Sequence, residues 1–229
     1  MAEETPKTLN HFALVRFTDA YWALPPAERQ PLLRGWLDRL RSAAEATHLY
    51  QVSGLEASAD LLVWSAVRAE DPCAPARFFS GFAEANAPSR RHFSVHEALW
   101  GFTKPSSYTK TRSTQELDPF VPRRFPYLVM YPFVKTSEWY LKSREERQQM
   151  MMDHIKVGKQ YPEITQLLLY STGLQDQEFV VVYETEDLVR FLGLVTELRS
   201  TAARAFTLRD WPLHTAILQA DDEALARWS

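Results

Sequence analysis

The chain has 229 residues, of which 45% are hydrophobic and 24% are charged, and its formal net charge is −3. This balance is typical of a globular protein and excludes the concentrated positive charge that non-specific nucleic-acid binding needs. A single cysteine, Cys73, excludes an internal disulfide. Residues 1–8 lack the apolar core of a signal peptide, and no apolar run reaches the length of a membrane span, so we expect a cytoplasmic protein without an integral membrane segment.

The first part of the chain alternates predicted strands and helices. Apolar residues recur with a period of two or form short runs in the strands, and they recur at helical spacing in the helices. The pattern predicts a strand at 11–17, a helix from 22 to about 46, a hairpin at 49–55 and 61–67, a helix at 74–85 and a strand at 92–102.

Residues 104–124 have no sustained period and contain several prolines, which predicts a connector. Connectors of this length are often functional or lie across a partner. The earlier pattern then begins again. It predicts a strand at 127–133, a helix starting near 139, strands at 166–171 and 179–184, a helix at 188–198 and a last strand around 216–218.

Each half is therefore predicted as β-α-β-β-α-β, the order of a ferredoxin-like unit. The predicted fold is α+β: a duplicated ferredoxin-like protein, or dimeric α+β barrel, whose two four-stranded antiparallel sheets form a barrel with the helices outside. The predicted boundaries are 9–103 for the N-terminal half, 104–125 for the connector and 126–220 for the C-terminal half. The first half has Trp36 and Leu37 in the region that corresponds to His154, so we expect any ligand chemistry in the second half.

His154 shares a helical stripe with Met150 and Met151, so its imidazole is predicted to face inward. One histidine cannot build a zinc site, which needs three or four protein ligands. It can serve as the axial ligand of a haem iron, with the methionines lining the porphyrin. The alternative is a core histidine whose hydrogen bonds are satisfied.

Three polar residues near this helix also have two interpretations each. Lys135 is either a solvated residue at a strand end or a cation that binds a propionate carboxylate. Tyr131 is either a core residue or a redox-active phenol beside the ligand. Gln166 opens a strand of leucines, either as a polar strand edge or as a hydrogen-bond donor in a pocket.

Three segments resemble the chlorite dismutase-like superfamily of haem proteins, and they are most similar to its coproheme decarboxylase branch. They are Tyr-Pro-Phe-Val-Lys at 131–135, Met-Met-Met-Asp-His at 150–154 and Gly-Leu-Gln-Asp-Gln-Glu-Phe at 173–179. The motif-level resemblance covers about residues 127–218. It implies a ring of five subunits that binds haem b or iron coproporphyrin III and uses hydrogen peroxide as oxidant, with the binding residues in the second half and no haem in the first.

The resemblance also implies residue roles. His154 matches the proximal iron ligand, and Tyr131 matches the tyrosine whose radical attacks the propionates. Lys135 matches the lysine beside the reacting propionate, and Gln166 the distal residue. The residues expected to bind the porphyrin are Trp139, Met151, Lys159 and Arg204.

Two departures from the family pattern affect these roles. Counting forward from Tyr161 gives Thr165 instead of Gln166 as the distal residue. In addition, Ala202 and Ala203 stand where chlorite-degrading relatives keep an acid that hydrogen-bonds the proximal histidine, which weighs against chlorite chemistry.

The function implied by the resemblance is peroxide-dependent oxidative decarboxylation of iron coproporphyrin III (coproheme) to haem b, a step of haem biosynthesis. One alternative is a chlorite dismutase or haem peroxidase, for which the missing distal arginine is unfavourable. Another is a protein without catalytic activity, either a haem-binding carrier or a diverged pentamer with no porphyrin. The first two functions predict a haem-dependent oxidoreductase.

Overall fold

The computed structural model describes residues 7–105, 108 and 114–229. Within these ranges the first half contains β1 (Thr8–Phe17), α1 (Asp19–Trp22), α2 (Pro26–Ser42), β2 (Ala46–Gln51), β3 (Leu61–Arg68), α3 (Ala74–Asn86) and β4 (Phe93–Phe102). The second half contains β5 (Tyr127–Lys135), α4 (Ser137–Leu141), α5 (Arg144–Gly158), β6 (Thr165–Tyr170), β7 (Phe179–Thr185), α6 (Leu188–Leu198), β8 (Thr207–Arg209), β9 (His214–Gln219) and α7 (Asp221–Trp228). Two 3-10 helices, Ala87–Ser89 and Ala202–Phe206, complete the described elements.

The strands form one antiparallel sheet with the order β7-β6-β4-β1-β3-β2-β9-β5-β8. Strand β5 also pairs with β7, so the first strand in this order is bonded to a strand near the other end. The mixed α+β class is confirmed, and the order of elements agrees with the predicted duplication. The two predicted four-stranded sheets are joined into one nine-stranded sheet, because β2 pairs with β9 and β4 with β6. These pairings give the edge strands of each half partners from the other half.

The junction of β4 and β6 is narrow, since Phe102 and Tyr170 form its single register pair. Beyond this pair, the side-chain amide of Gln175 bonds to the backbone of β4. It accepts from Trp100 N at 3.0 Å and donates to Ala98 O at 3.0 Å. On the β6 side, the backbone of Gln166 bonds to residues 115 and 117 of the connector, at 2.8 and 2.9 Å. The connector therefore continues the sheet along β6.

Apolar side chains fill both faces of this sheet. The inner cluster combines residues of the two halves, including Phe12, Trp64, Met130 and Val182. The outer face of the first half packs against α2 and α7, and that of the second half packs against α5 and α6. The inward and outward positions alternate along each strand, as the period of two requires.

A buried ion pair holds the end of the connector. Arg124 Nη1 lies 3.5 Å from Glu184 Oε1, and both side chains are almost fully buried. Tyr50 donates to the same carboxylate oxygen at 2.9 Å, and Arg124 Nη2 donates to the carbonyl of Asp118 at 2.7 Å. Burial raises the pKa of Glu184, and the Arg124 guanidinium opposes that rise.

The predicted helix at 22–46 is interrupted. Helix α1 ends at Trp22, and α2 begins at Pro26, with Pro25 in an extended conformation before it. Proline fixes the backbone and favours the first turn of a helix, so the Pro25–Pro26 pair marks a new start. The strand predicted at 49–55 ends at Gln51, and Gly54 follows with a φ of +85°.

Candidate functional site

Most of the site residues predicted in the second half lie between the outer face of the sheet and its covering helices. Tyr131 and Phe133 share the helix-facing side of β5, because alternate residues of a strand face the same way. The register shifts between Val134 and Lys135, and Lys135 Nζ lies 5.9 Å from the centre of the Phe133 ring. His154 lies on α5, and Trp139 lies buried on α4. The 3-10 helix Ala202–Phe206 packs beside α5.

His154 is half-buried, and its Nδ1 lies 3.3 Å from Thr201 Oγ1. Burial lowers the pKa of the imidazole to about 4, with a smaller contribution from the charge of Lys135. The ring is therefore neutral at pH 7. Neutral imidazole is the form that binds a metal ion.

Lys135 is held against the 3-10 helix and the strand that follows it. Its Nζ donates to the carbonyl of Ala203 and to Thr207 Oγ1, both at 3.2 Å, and lies 4.7 Å from the centre of the Trp139 ring. Burial, with a smaller contribution from the charge of Arg204, lowers the pKa of Lys135 to about 8. The ammonium is still charged at pH 7, in a position where water screens it less than at an open surface.

Tyr131 forms a pair with Tyr183 of the neighbouring strand. Their ring centres are 6.2 Å apart and the rings are stacked. Burial raises the pKa of Tyr131, and a hydrogen bond with Tyr183 partly offsets this shift. Tyr131 is therefore a neutral phenol at pH 7, with its oxygen beside a second phenol.

Gln166 lies directly opposite Tyr183 in the pairing of β6 and β7. Directly opposed residues point to the same face of a sheet, so Gln166 shares the helix-facing side with Tyr131. Thr165 points to the opposite face, where its hydroxyl is buried. The strand register therefore puts Gln166, rather than Thr165, on the face of the other predicted site residues.

The remaining predicted residues have different surroundings. Arg204 forms an ion pair with Asp210 at 3.2 Å. Met151 is half-buried on α5, one turn before His154, whereas Lys159 is exposed at the C-terminal cap of that helix. The structure thus brings Tyr131, Lys135, Trp139, His154 and Arg204 to one region and leaves the side chain of Lys159 towards solvent.

A flat ligand with carboxylates is compatible with this region. Helix α5 buries none of its 15 residues fully, although its inward stripe contains two methionines and His154. On the facing side of the sheet, Leu168 is 40% exposed. One neutral imidazole, apolar surfaces on both sides and the cations Lys135 and Arg204 are the donor set that a haem-type porphyrin with propionates needs. In the described part of the chain, no cluster of three or more His, Cys, Asp or Glu could hold a metal ion.

Sequence reasoning missed four residues that contact the predicted ones: Thr201, Thr207, Tyr183 and Asp210. A signal existed for Thr201, which directly precedes the alanine pair at 202–203 where an acid was missing. Tyr183 was visible as a polar-tipped aromatic in an apolar strand. No local pattern marks Thr207 or Asp210.

No helix in the described ranges has the length and apolar character that crossing a membrane requires. Comparison with known proteins identifies the relatives of the chain. The family model described as chlorite dismutase matches residues 27–219. The coproheme decarboxylase of Staphylococcus carnosus is 30% identical over 187 residues, which cover 74% of this chain and 74% of that protein. The coproheme decarboxylase of Mycolicibacterium smegmatis is 29% identical over 170 residues, which cover 73% and 70%.

Solved structures show the same fold. The chlorite dismutase of Candidatus Nitrospira defluvii in complex with imidazole superposes with a TM-score of 0.81 at 23% identity, over 96% of this chain and 94% of that one. A mutant of the same enzyme superposes equally well, with a TM-score of 0.81 at 24% identity. Because its model matches most of the sequence, the chain belongs to the chlorite dismutase family.

Proposed function

We propose that this protein converts iron coproporphyrin III to haem b by peroxide-dependent oxidative decarboxylation. In this reaction one propionate, one hydrogen peroxide and one proton give one vinyl group, one carbon dioxide and two waters. Two of the propionates react. The iron of the bound porphyrin supplies the redox chemistry with peroxide.

In this proposal the side chains of the chain bind, orient and move hydrogen. His154 holds the iron through its neutral imidazole. Tyr131 loses the phenolic hydrogen and then takes a hydrogen atom from the reacting propionate. Lys135, still charged at pH 7, binds the carboxylate of that propionate, and Gln166 orients peroxide from its amide.

The observation that carries the proposal is the common position of Tyr131 and Lys135 beside Phe133, on the side of β5 that faces the helix bearing His154. A phenol and a cation on the same surface suit abstraction from an anionic side chain. Both named relatives in the comparison are coproheme decarboxylases, which supports the same choice.

The test is a coproheme titration followed by hydrogen peroxide, with products separated by chromatography and identified by mass. Tyr131→Phe removes the phenolic hydrogen but keeps the ring, so we expect haem b formation to slow by at least about a hundredfold, a barrier increase of about 3 kcal/mol. Tyr127→Phe, on the same face of the same strand, is the matched control and should retain the wild-type rate. Full activity of Tyr131→Phe would exclude the proposed role.

Chlorite dismutation is the second candidate. The solved chlorite dismutases establish the fold alone, and the β6 position opposite Tyr183 carries an amide rather than a guanidinium. Oxygen evolution from chlorite at high turnover would favour that function. A Soret band that depends on His154 but is followed by neither reaction would favour a haem-binding protein without catalysis.

We also propose that the protein forms a homo-oligomer of five subunits. Supporting this, apolar side chains are strongly exposed on α6 and in the segment that follows it: Val189, Leu192, Leu208 and Trp211. Sedimentation equilibrium measures the mass in solution, and a monomeric mass would refute the proposal.

A further inference from the structure

Thr201 lies behind His154, on the side of the ring that carries Nδ1. It caps the N-terminus of the 3-10 helix Ala202–Phe206, and its backbone is extended there. Its amide donates to the carbonyl of Leu198 at 3.2 Å, and its carbonyl accepts from the amide of Arg204 at 3.0 Å. Hydrogen bonds on both sides therefore fix the hydroxyl in place, at the junction of α6 and the 3-10 helix.

The hydroxyl of Thr201 contacts one ring nitrogen of His154. A threonine hydroxyl has one hydrogen to donate, and Thr201 Oγ1 donates it to the carbonyl of Leu198 at 2.7 Å. The same oxygen lies 3.3 Å from His154 Nδ1, so in that contact it can act as acceptor. Nδ1 must then carry the hydrogen, and Nε2 keeps its lone pair.

Lys135 and the two alanines that follow Thr201 offer no side-chain acceptor. Lys135, whose charge reaches the imidazole, has donors alone. Ala202 and Ala203, which follow Thr201, have no polar side-chain atom. In the described ranges, the side-chain contact of His154 is made by Nδ1.

We propose that Thr201 is a positioning residue that holds His154 in the Nδ1–H tautomer and so presents Nε2 as the iron ligand. This inference rests on the proposed function, since it concerns the ligand of the same porphyrin. The acceptor is a neutral hydroxyl at a long distance, not a carboxylate. A neutral acceptor draws less on the Nδ1 hydrogen, so the imidazole keeps less anionic character and gives a weaker iron–nitrogen bond than a carboxylate partner would.

The first experiment uses the ligand-free protein and long-range 15N–1H correlation of the histidine rings at pH 7. The His154 signals are assigned by their loss in His154→Ala. Wild type and Thr201→Ser should show the Nδ1–H tautomer, because both keep a hydroxyl. Thr201→Val has nearly the same shape without an acceptor and should gain the Nε2–H tautomer. An unchanged tautomer in Thr201→Val would overturn the inference.

The second experiment uses the haem-loaded protein. Loss of an outer-shell partner typically lowers metal affinity about 10- to 100-fold, so Thr201→Val should release haem to apomyoglobin correspondingly faster. Its ferrous iron–histidine stretching frequency should also fall, and Thr201→Ser should restore both values. Equal release rates and frequencies in Thr201→Val and wild type would contradict the inference.

Two controls separate the possible failures. Equal thermal unfolding midpoints of Thr201→Val and Thr201→Ser exclude a general folding defect. If the midpoints differ, Thr201→Ser is compared with wild type instead, and a different tautomer in Thr201→Ser would contradict the inference. If wild type shows no Soret band with haem, the proposed function fails, whereas the tautomer measurement on the ligand-free protein still decides the role of Thr201.

Discussion

At the scale of single residues, two buried histidines behave in opposite ways. His11 lies among Phe78, Phe79 and Phe82, with ring centres 4.6 to 6.0 Å away, and burial lowers its pKa to about 4. For His214, burial lowers the pKa too, but the carboxylates of Glu97 and Glu56 outweigh that effect, so its pKa is raised. The apolar surroundings of His11 favour the neutral imidazole, whereas the two carboxylates beside His214 favour the protonated form.

We predict that His11→Phe makes the protein more resistant to acid. The unfolded chain protonates this histidine near pH 6.5 and the folded chain only near pH 4, so its contribution to stability is present above pH 6.5 and is lost as the pH falls towards 4. The shift corresponds to about 3 kcal/mol at the acid end. Urea unfolding at pH 7 and at pH 4.5 measures the difference.

The wild-type free energy of unfolding should therefore fall more steeply between these two pH values than that of His11→Phe. Ser94→Ala, at an exposed position on β4, is the control and should keep the wild-type slope. Equal slopes in His11→Phe and wild type would show that the aromatic cage does not hold the ring neutral.

Sequence patterns could indicate His154, Tyr131 and Lys135, because each stands at a distinctive position in a helix or strand. They could not indicate Thr201 as a partner, since 47 residues separate it from His154 and a turn after α6 brings it there. Contacts of this kind depend on how the helices pack across the sheet, and the spacing of apolar residues in the sequence does not indicate that packing.

At the scale of elements, the junction of β4 and β6 depends on Gly101. A Cβ at this position would lie 2.6 Å from Ser171 Oγ and 2.8 Å from the carbonyl oxygen of Tyr170. The backbone atom cannot move without disturbing the pair Phe102–Tyr170 that joins the halves here. A glycine is therefore needed for the close approach of the two chain segments.

We predict that Gly101→Ala destabilises the protein by about 1–3 kcal/mol, the usual cost of overpacking. Gly35→Ala is the matched control, because Gly35 lies inside α2 and its Cβ would meet nothing closer than Arg39 Nη1 at 3.6 Å. That variant should gain about 0.5–1 kcal/mol from helix propensity. Denaturant midpoints measure both, and a stable Gly101→Ala protein would contradict the close approach.

The sequence predicted most long elements but missed the short ones. Helix α6 has the predicted bounds, since its apolar period is strong and Asp187 caps its start. Strand β8 has three residues, too few for an alternating pattern to appear. Helix α7 was also missed, although Leu225 and Trp228 bury themselves against the first half, because it lies beyond the repeat.

At the scale of the whole molecule, the two halves share one inner cluster. Phe12 and Trp64 of the first half pack in the same cluster as Met130 and Val182 of the second. The predicted boundaries at 103 and 126 therefore separate repeats of sequence, and the inner cluster extends across them. Periodicity revealed the repeat but not the cross-pairing, because strand pairing between distant segments leaves no local mark.

We predict that the ligand-free protein unfolds in one cooperative step. Its calorimetric and van't Hoff enthalpies should agree, as they do for two-state unfolding. Leu62→Ala in the first half and Val182→Ala in the second should each lower the midpoint of that single transition. Two resolved transitions, with each substitution shifting a different one, would mean that the halves are separate folding units.

Helix α5 differs from the rest of the molecule in how its order is maintained. It has a complete capping box, in which Ser143 and Glu146 satisfy each other's backbone amides, yet it buries none of its residues fully. Segments with little buried surface open with less free energy than the core, so this helix is a candidate for local unfolding. Binding of a ligand through His154 would then be linked to the folding of this helix, and part of the binding free energy would be used to order the helix that carries the iron ligand.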